Sequence, residues 1–424
     1  MTAIVGILNK SGIAIAADSA ATISNGRSRK ILNTETKIFR LSKTYPVSVM
    51  VYGSTTFMRT PWELIIKQYS RKCGSKGRDT LKEYVDDFLK FLREEKYFCD
   101  KDAQDEKLRD MLIDFYKNVR DLAKEEIEEQ DEEVQTSYSE LFLDKLEEVK
   151  QRFIIESEKC PELEKYPFRV FQNKAQKAID DILTYGFEEE GFDVKQRLQF
   201  EQSAYEWIKS VTFLGDFNSG LVFSGYGEND IFPSIYPIEV AGVIDDRLRY
   251  FVNEGRIAQI GNDNVATIAP YAQADVMQTF MDGIAPDLLD YVIEHNKQLV
   301  NQVHTRIYNK LMEAGVGQET LELVANIDFD EINEQAKTEL VEYVQNEKRE
   351  GLLDAVEIFN VQELASMAEN LVSITNLQRH FTSDEETVGG PVDVAIITRN
   401  EGFVWIKRKL WFSNELNKRS LNDD

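Results

Sequence analysis

Short apolar runs separated by turn residues open the chain, and their spacing predicts β-strands. Residues 2–17 alternate small and β-branched side chains around a polar turn that includes Gly12, which indicates two paired strands. Alternating apolar residues predict two more strands, at 36–41 and at 47–52. The start of the chain is therefore expected to be a hairpin followed by further strands.

Helix-rich and strand-rich blocks alternate along the rest of the chain. The predicted helices lie at 56–72, 80–98, 101–208 and about 268–379, and the predicted strands lie at 210–260 and 392–406. This order favours antiparallel sheets layered with helices, because a parallel sheet requires a regular alternation of strand and helix. The expected fold class is α+β.

Composition narrows the function classes. The chain has 424 residues, 42% of them hydrophobic, which is enough for a sizeable core. Its 75 acidic and 50 basic residues give a net charge of −25. That charge disfavours nucleic acid and anionic membranes as partners, since both bind basic surfaces. No secretory signal pattern opens the chain, and no apolar run approaches the ~20 residues of a membrane span, so a cytoplasmic location is expected.

Cysteine and histidine usage argues against metal and disulfide chemistry. Cys73, Cys99 and Cys160 lack metal-ligand spacing, and their odd number argues against a disulfide framework. With 3 histidines in the chain, a multi-histidine metal site or a histidine-based triad is poorly supported. Glycine-rich phosphate motifs are also missing from the sequence. We therefore expect neither a metal nor a cofactor.

The second residue is the first candidate for chemistry. Once Met1 is removed, Thr2 carries a hydroxyl nucleophile and an α-amine base on a single residue. The predicted hairpin brings Asp18 back alongside it. Threonine after the initiator methionine is common, as are hairpins near an N-terminus, so these residues do not establish an active site by themselves.

Five sets of segments occur in a characteristic order: Thr2 with 16–19, 37–41, 51–54, 224–227 with 233–236, and 388–399 with 402–404. Together they resemble the β-subunits of proteasomes and their bacterial relatives, which are N-terminal-nucleophile hydrolases. The resemblance implies a four-layer αββα sandwich of antiparallel sheets with large helical insertions. It also implies a homo-oligomer, because relatives form rings through helix faces, although the insertions could redirect those contacts.

Under this resemblance the chain divides into core parts and insertions. The core parts are 2–100, 209–286 and 356–424, and the helical insertions are 101–208 and 287–355.

The resemblance also assigns roles to individual residues. Thr2 is the nucleophile after Met1 is removed, and its α-amine accepts the proton. Lys37 disfavours the protonated amine, and Asp18 keeps Lys37 charged and oriented through a charge-assisted hydrogen bond. Gly53 provides a backbone N–H to the developing oxyanion.

Other positions depart from the family pattern. Asn262 stands where the family has a hydroxyl that orders the nucleophilic water, and Glu385 stands for the supporting acid. Val388 replaces a serine and cannot supply a hydroxyl. The substrate-pocket positions carry over to Ala21, Glu35, Val51 and Thr55. One carboxylate among apolar walls predicts a weak preference for a basic or polar residue before the scissile bond.

Three functions follow from this interpretation. The first is a threonine-nucleophile peptide hydrolase resembling a proteasome β-subunit. The second is an amidase or acylase acting on a small amide, because the helical insertions could close the cleft against polypeptide. The third is a non-catalytic scaffold, which the altered positions around Asn262 and Val388 would suit.

Overall fold

Antiparallel sheets and many helices make up the protein, which is mixed α+β as the sequence predicts. The computed structural model describes residues 2–24, 29–74, 76–95, 97–129, 137–187, 192–212, 218–381 and 389–410. Within these ranges no helix combines the length and the apolar character needed to cross a membrane.

The strands, in chain order, are β1 (Ile4–Asn9), β2 (Gly12–Ala17), β3 (Ala21–Ser24), β4 (Arg29–Leu32), β5 (Ile38–Arg40), β6 (Val47–Gly53), β7 (Thr56–Phe57), β8 (Thr60–Pro61), β9 (Ser219–Gly225), β10 (Ser234–Ile244), β11 (Arg247–Val252), β12 (Ala258–Gln259), β13 (Ala266–Ala272), β14 (Asp393–Thr398) and β15 (Gly402–Lys407). The first sheet has the order β13-β1-β2-β14-β15. The second has the order β11-β10-β9-β6-β5, with β12 paired to β10. Two short hairpins, β3-β4 and β7-β8, stand apart from both sheets.

The helices are α1 (Trp62–Cys73), α2 (Leu81–Glu94), α3 (Lys101–Glu129), α4 (Tyr138–Val149), α5 (Phe168–Gly186), α6 (Val194–Lys209), α7 (Ala274–Asp282), α8 (Pro286–Glu313), α9 (Gln318–Ala325), α10 (Asp330–Val344), α11 (Glu350–Ile358) and α12 (Val361–Phe381). Short π-helical segments, Lys150–Ile154 and Gln345–Arg349, follow α4 and α10.

One face of each sheet contributes to a shared apolar core. Successive strand residues point to opposite faces, so every second residue of β1 and β2 can reach that core. The buried residues of the cluster include Ile4, Leu8, Ile13 and Ile15 from the first sheet and Met50, Val222 and Ile235 from the second. The two sheets therefore pack against each other.

Helices cover the opposite face of each sheet. Val5 and Ile7 of β1 belong to a buried cluster with Leu364 of α12. Val49 of β6 belongs to another cluster with Phe88 of α2. Because both faces of β1 and β2 are covered, every residue of these strands is buried. Strands in this position have sequences that are continuous apolar runs.

The helices between α3 and α6 have a core of their own. Phe115, Phe142 and Trp207 are fully buried or nearly so in this cluster. Ala241 and Ile244 of β10 belong to the same cluster, which joins these helices to the second sheet. The division of the chain into core parts and insertions stays a prediction.

The structure corrects the expected helix at 56–72. The short β7-β8 hairpin occupies the first part of that range, and α1 begins at Trp62. Met58 and Arg59 adopt positive φ angles of 47° and 64° in the turn, a conformation that ends regular helix. Helical spacing of the apolar residues cannot reveal such a turn, because the apolar pattern continues through it.

Candidate active site

Asp18 lies beside the start of the chain because of the β1-β2 hairpin. The register pairs Ile4 with Ala17, so residue 18 emerges next to Ala3. The amide of Ala3 donates to Asp18 Oδ1 at 2.9 Å, and the amide of Asp18 donates to the Ala3 carbonyl at 3.1 Å. Thr2 directly precedes this pair of bonds and is 6% exposed. The hairpin thus fixes the backbone that follows Thr2.

Lys37 meets the same carboxylate oxygen. Its Nζ donates to Asp18 Oδ1 at 2.7 Å, and both residues are buried, with exposures of 5% for Lys37 and 1% for Asp18. The Lys37 carbonyl accepts a hydrogen bond from the amide of Val51 at 2.9 Å, which fixes the chain where β5 meets β6. Asp18 Oδ1 also accepts from the Ala3 amide, so one carboxylate oxygen links the Lys37 ammonium to the backbone directly after Thr2.

The other oxygen of Asp18 holds a glycine turn. Oδ2 accepts from the amides of Ala20 and Gly389, each at 3.1 Å. Ser19 donates its amide to the Gly389 carbonyl at 3.2 Å and its hydroxyl to the Pro391 carbonyl at 2.5 Å. A buried carboxylate needs such partners, because an unpaired charge in the interior is costly. Asp18 is therefore held on both sides.

The pKa of Lys37 lies below the ordinary value for lysine. Burial is the main cause, since it penalises the charged form. The adjacent Asp18 carboxylate opposes this effect, as does Glu35 more weakly, while the positive charge of Lys409 adds to the decrease. Lys37 therefore loses its proton more readily than a lysine at the surface.

A second ion pair, which sequence reasoning missed, involves a buried carboxylate on the neighbouring strand. Asp393 begins β14, pairs in register with Ala17 and is 2% exposed. The amide of Lys409 donates to Asp393 Oδ1 at 2.8 Å, and Lys409 Nζ binds the other oxygen. A carboxylate inside the apolar run 392–397 was a usable signal, because it requires a buried partner. The partner itself could not be read from the sequence.

Gly53 stands exposed at the end of β6. Its φ of +77° favours glycine, and a Cβ there would lie 2.6 Å from the carbonyl oxygen of Asn218. The backbone geometry alone therefore accounts for a glycine. Gly53 follows Val51 by two residues on the strand that contacts Lys37, and its role as an oxyanion donor stays a prediction.

The structure does not bring Asn262 to this cluster. Asn262 is exposed in the loop before β13, and β13 begins opposite Asn9, at the far end of β1 from Thr2. The β1-β13 register sets the position of this loop, and a register between distant segments cannot be read from the residues of the loop itself. Glu385 and Val388 lie outside the described residues.

Gln273, rather than Asn262, follows β13 at the Thr2 end of β1. The register pairs Ile4 with Ala272, so the next residue of the chain passes beside the first residues of β1. Gln273 has a φ of 48° at the start of α7, and its Oε1 accepts a hydrogen bond from Arg379 Nε at 2.9 Å. A positive φ on a residue other than glycine is uncommon and marks a constrained position.

Only some of the predicted pocket residues contact the segments that hold Asp18 and Lys37. Ala21 is 6% exposed, and Glu35 is half-buried with its amide bonded to the Ser19 carbonyl at 3.1 Å. Val51 is 6% exposed and belongs to the core under α1 and α2. Thr55 is exposed in the turn beyond β6. Hydrogen bonds thus join Glu35 to the Asp18 turn and Val51 to Lys37, whereas Thr55 accepts one from the amide of Trp62.

Similarity to known proteins is confined to solved structures. No family model and no curated protein matches the chain. A mutant of Anbu from Hyphomicrobium sp. strain MC1 is 9% identical, with 100% of this chain and 94% of that chain covered, at a TM-score of 0.31. Anbu (ancestral beta-subunit) from Yersinia bercovieri is 10% identical, with coverage of 96% and 88%, at a TM-score of 0.30.

The family assignment expected from the sequence is wrong. No family model supports it, and these solved structures are Anbu proteins at very low identity. At TM-scores of 0.31 and 0.30, the likeness supports no statement about activity. The function must therefore be argued from the site itself.

Proposed function

We propose that the protein hydrolyses an amide or peptide bond with the hydroxyl of Thr2, once Thr2 is the N-terminal residue. The observation that carries the proposal is the buried Lys37–Asp18 pair, whose shared Oδ1 also binds the amide directly after Thr2. A buried lysine with a lowered pKa beside a candidate nucleophile is a typical sign of a functional site.

The chemistry follows from the position of the charges. The α-amine of Thr2 takes the proton from Oγ1, which attacks the carbonyl carbon of the substrate. The C–N bond of the substrate then breaks. The leaving amine takes its proton from the protonated α-amine of Thr2, and the acyl group remains on Oγ1 as an ester. Water then adds to this ester with the α-amine again as base, releasing the carboxylic acid and restoring Oγ1–H.

Lys37 acts through its charge. An ammonium close to the α-amine disfavours the protonated amine, whose ordinary pKa is about 8. It also stabilises negative charge that develops on Oγ1 during the attack. Asp18 positions Lys37, because its two oxygens are fixed by the backbone on both sides.

The architecture suits this role. We interpret the two packed sheets, with α12 on one side and α2 on the other, as a four-layer αββα sandwich. Thr2 then begins the central strand pair β1-β2 of the first sheet. The half-buried Glu35 near Lys37 favours a substrate that carries a basic or polar group. Turnover of short peptides compared with small amides separates the two substrate classes.

Covalent labelling tests the proposal. The protein is treated with a β-lactone, which esterifies an active hydroxyl, and the intact mass is measured together with the N-terminal peptide. We expect one adduct on Thr2 in chains that lack Met1, and no adduct in Thr2→Ala. Thr44→Ala, which removes an exposed threonine, serves as the matched control and should label normally. Retention of Met1, or labelling of Thr2→Ala, would refute the mechanism.

A further inference from the structure

The outer edge of β13 is open. This strand is the last one of the first sheet, and among the described residues no strand pairs with its outer side. Its register with β1 runs without interruption from Ala266 to Pro270. An edge strand presents backbone N–H and C=O groups that can pair with another chain, so proteins normally cover or blunt such edges. The register identifies which groups β13 presents.

Pro270 shows which residues of β13 point outward. Proline has no N–H to donate, so within a sheet it stands where the N–H side faces away from the neighbouring strand. Its carbonyl points outward as well, because it accepts from Arg256 Nη2 at 2.5 Å. The backbone groups of successive strand residues alternate between the two sides. Ile268 and Ala266 therefore also direct their N–H and C=O groups away from β1.

A cavity lies along this outer edge. Its volume is about 680 Å³, within the range of about 300–1,000 Å³ that is typical of ligand pockets. One wall is β13, another is the short 3₁₀ turn Glu254–Arg256 that precedes β12, and helices α7 and α11 contribute apolar side chains, among them Met281, Leu352 and Leu353. An extended peptide in this cavity has open strand groups to pair with, as in β-strand addition.

The cavity is basic although the protein is acidic. The chain has 75 acidic and 50 basic residues. The described residues that line the cavity nevertheless include Arg256 and Arg349 and no aspartate or glutamate. Arg349 is already matched by its bidentate ion pair with Asp282. The charge of Arg256 is therefore the one to which a ligand would respond.

Arg256 has no carboxylate partner among the described residues. Its Nη2 binds the Pro270 carbonyl, and its guanidinium lies 5.1 Å from the centroid of the Tyr271 ring. Burial raises the pKa of the neighbouring Glu239, and the charge of Arg256 opposes this increase without forming an ion pair. Arg256 is exposed and held at one end of the open edge, where it can form charge-assisted hydrogen bonds to a carboxylate.

We propose that this cavity binds an acidic peptide segment in an extended conformation. The peptide pairs with Ile268 and Ala266 as a sixth strand of the first sheet and places a carboxylate against Arg256. Antiparallel pairs are the commoner kind, and an antiparallel peptide starts beside Pro270, so its acidic residues lie at its N-terminal end. The site is independent of the chemistry at Thr2. So short an interface is expected to give an affinity in the micromolar range.

Fluorescence anisotropy of a labelled peptide tests the binding. The probe is acetyl-Glu-Glu-Val-Thr-Val-Thr with a neutral dye at its C-terminus, and its Gln-Gln and Lys-Lys counterparts test the charge. The acidic probe should bind saturably, the Gln-Gln probe at least ~10-fold more weakly and the Lys-Lys probe not at all. Equal binding of the three probes, or no binding of the acidic probe up to about 1 mM, would overturn the proposal.

N-methylation of the acidic probe tests strand pairing. One derivative is methylated on both valine amides and the other on both threonine amides, so each blocks a single edge of the extended peptide. Only the edge that faces β13 needs its N–H groups. One derivative should therefore lose binding while the other binds like the parent probe. Equal behaviour of the two would refute strand addition, and displacement of the probe by octanoate at the same concentration as by unlabelled peptide would assign the cavity to a small carboxylate.

Substitution of Arg256 locates the site. Arg256→Gln should weaken binding of the acidic probe at least ~10-fold and should bind the acidic and Gln-Gln probes alike, since the two changes remove the same interaction. Arg256→Lys keeps the charge and should retain part of the preference. Arg71→Gln, at an exposed arginine of α1 that does not line the cavity, is the matched control and should bind like the parent. An Arg256→Gln variant with the parent's preference for the acidic probe would place the site elsewhere and contradict the proposal.

Discussion

At the scale of single residues, Asp18 links three parts of the chain that are far apart in sequence. Oδ1 binds Ala3 and Lys37, whereas Oδ2 binds Ala20 and Gly389. Because both oxygens are occupied, the carboxylate cannot move away when a substrate approaches. Such a fixed group is suited to holding a charged lysine in place, since no reorganisation is then needed during reaction.

Breaking the Lys37–Asp18 pair is expected to destabilise the fold. Lys37→Met leaves a carboxylate without its cation in a site that is 1% exposed, which costs about 3–5 kcal/mol. Urea unfolding measures the loss. Adding Asp18→Asn to Lys37→Met should recover part of it, because the remaining charge disappears. A double variant that is destabilised by the sum of the two single changes would show that the residues are not coupled.

The pH dependence of β-lactone labelling should report Lys37. Its ammonium is charged below its pKa, and burial brings that pKa below the ordinary ~10.4. The rate should therefore fall as the pH rises through this lowered pKa, and Lys37→Arg, which stays charged, should lack that fall. A profile that is flat above neutral pH in the parent would contradict the assigned role.

Substitution of Lys409 provides a second test of the pH dependence of labelling. Its positive charge contributes to the lowered pKa of Lys37, so Lys409→Met should move the alkaline fall to higher pH. Lys407→Met is the matched control, since Lys407 pairs with Glu369 at the surface and should leave the profile unchanged. Identical profiles for both variants would show that Lys409 acts only through structure.

The part of the site that could be predicted from the sequence is formed by residues that are close together in the chain. Asp18 follows from a hairpin whose strands are close in the chain, so alternation and one turn suffice to place it near Thr2. Asn262 was misplaced because its position depends on the β1-β13 register between distant segments. The Asp393–Lys409 pair depends on long-range pairing in the same way, and no local pattern encodes it.

At the scale of elements, Arg249 ties the second sheet to the end of α6. It is 1% exposed, and its guanidinium donates to the carbonyls of Trp207, Ile208, Ser210 and Thr212 at 2.8–3.0 Å. Burial lowers its pKa to about 10, so the side chain is charged at neutral pH. A cation at a helix C-terminus satisfies carbonyls that have no partner within the helix.

Removing this group should loosen the helices. Arg249→Met leaves buried carbonyls without their donor, and we expect a loss of at least ~3 kcal/mol in the free energy of unfolding. Arg247→Met, two residues away on the same strand, is the matched control, because the Arg247 side chain is 37% exposed and its loss should cost about 1 kcal/mol or less. Equal losses in the two variants would show that the helix terminus does not depend on Arg249.

The sequence predicts that residues 101–208 are helical, but it does not predict how these helices pack on the second sheet. Charged segments with regular apolar spacing predicted helix over 101–208, and α3 to α6 lie there. No local pattern indicates that Ala241 and Ile244 of β10 complete their core, because two small or aliphatic residues in a strand look the same whichever element they face.

At the scale of the whole molecule, the two helical regions that were predicted as insertions differ in how they join the sheets. Helices α3 to α6 share a buried core with β10. By contrast, α8 has no buried residue, α9 buries Leu321 and α10 buries Val344. Asp282 and Arg349 form a bidentate ion pair at 2.6 and 3.0 Å, so the two ends of the α8–α10 region lie together.

Excision of 287–344 should therefore leave the sheets folded. A Gly-Ser linker of about six residues spans ends that are already adjacent, and loop closure over so short a distance costs little. We expect cooperative urea unfolding with a midpoint close to that of the parent and a smaller slope, because less surface is exposed on unfolding. Thr2 of the excised protein should still react with the β-lactone.

The contrasting excision of 101–208 provides the control. It removes one side of the core that contains Ala241 and Ile244, and it uncovers Gly242, which the stem of Lys107 covers closely. Exposure of this surface should give an insoluble or non-cooperative protein. If both excised proteins fold equally well, the helices α3 to α6 are a separable insertion after all. If neither folds, α8 to α10 stabilise the sheets through contacts that burial does not reveal.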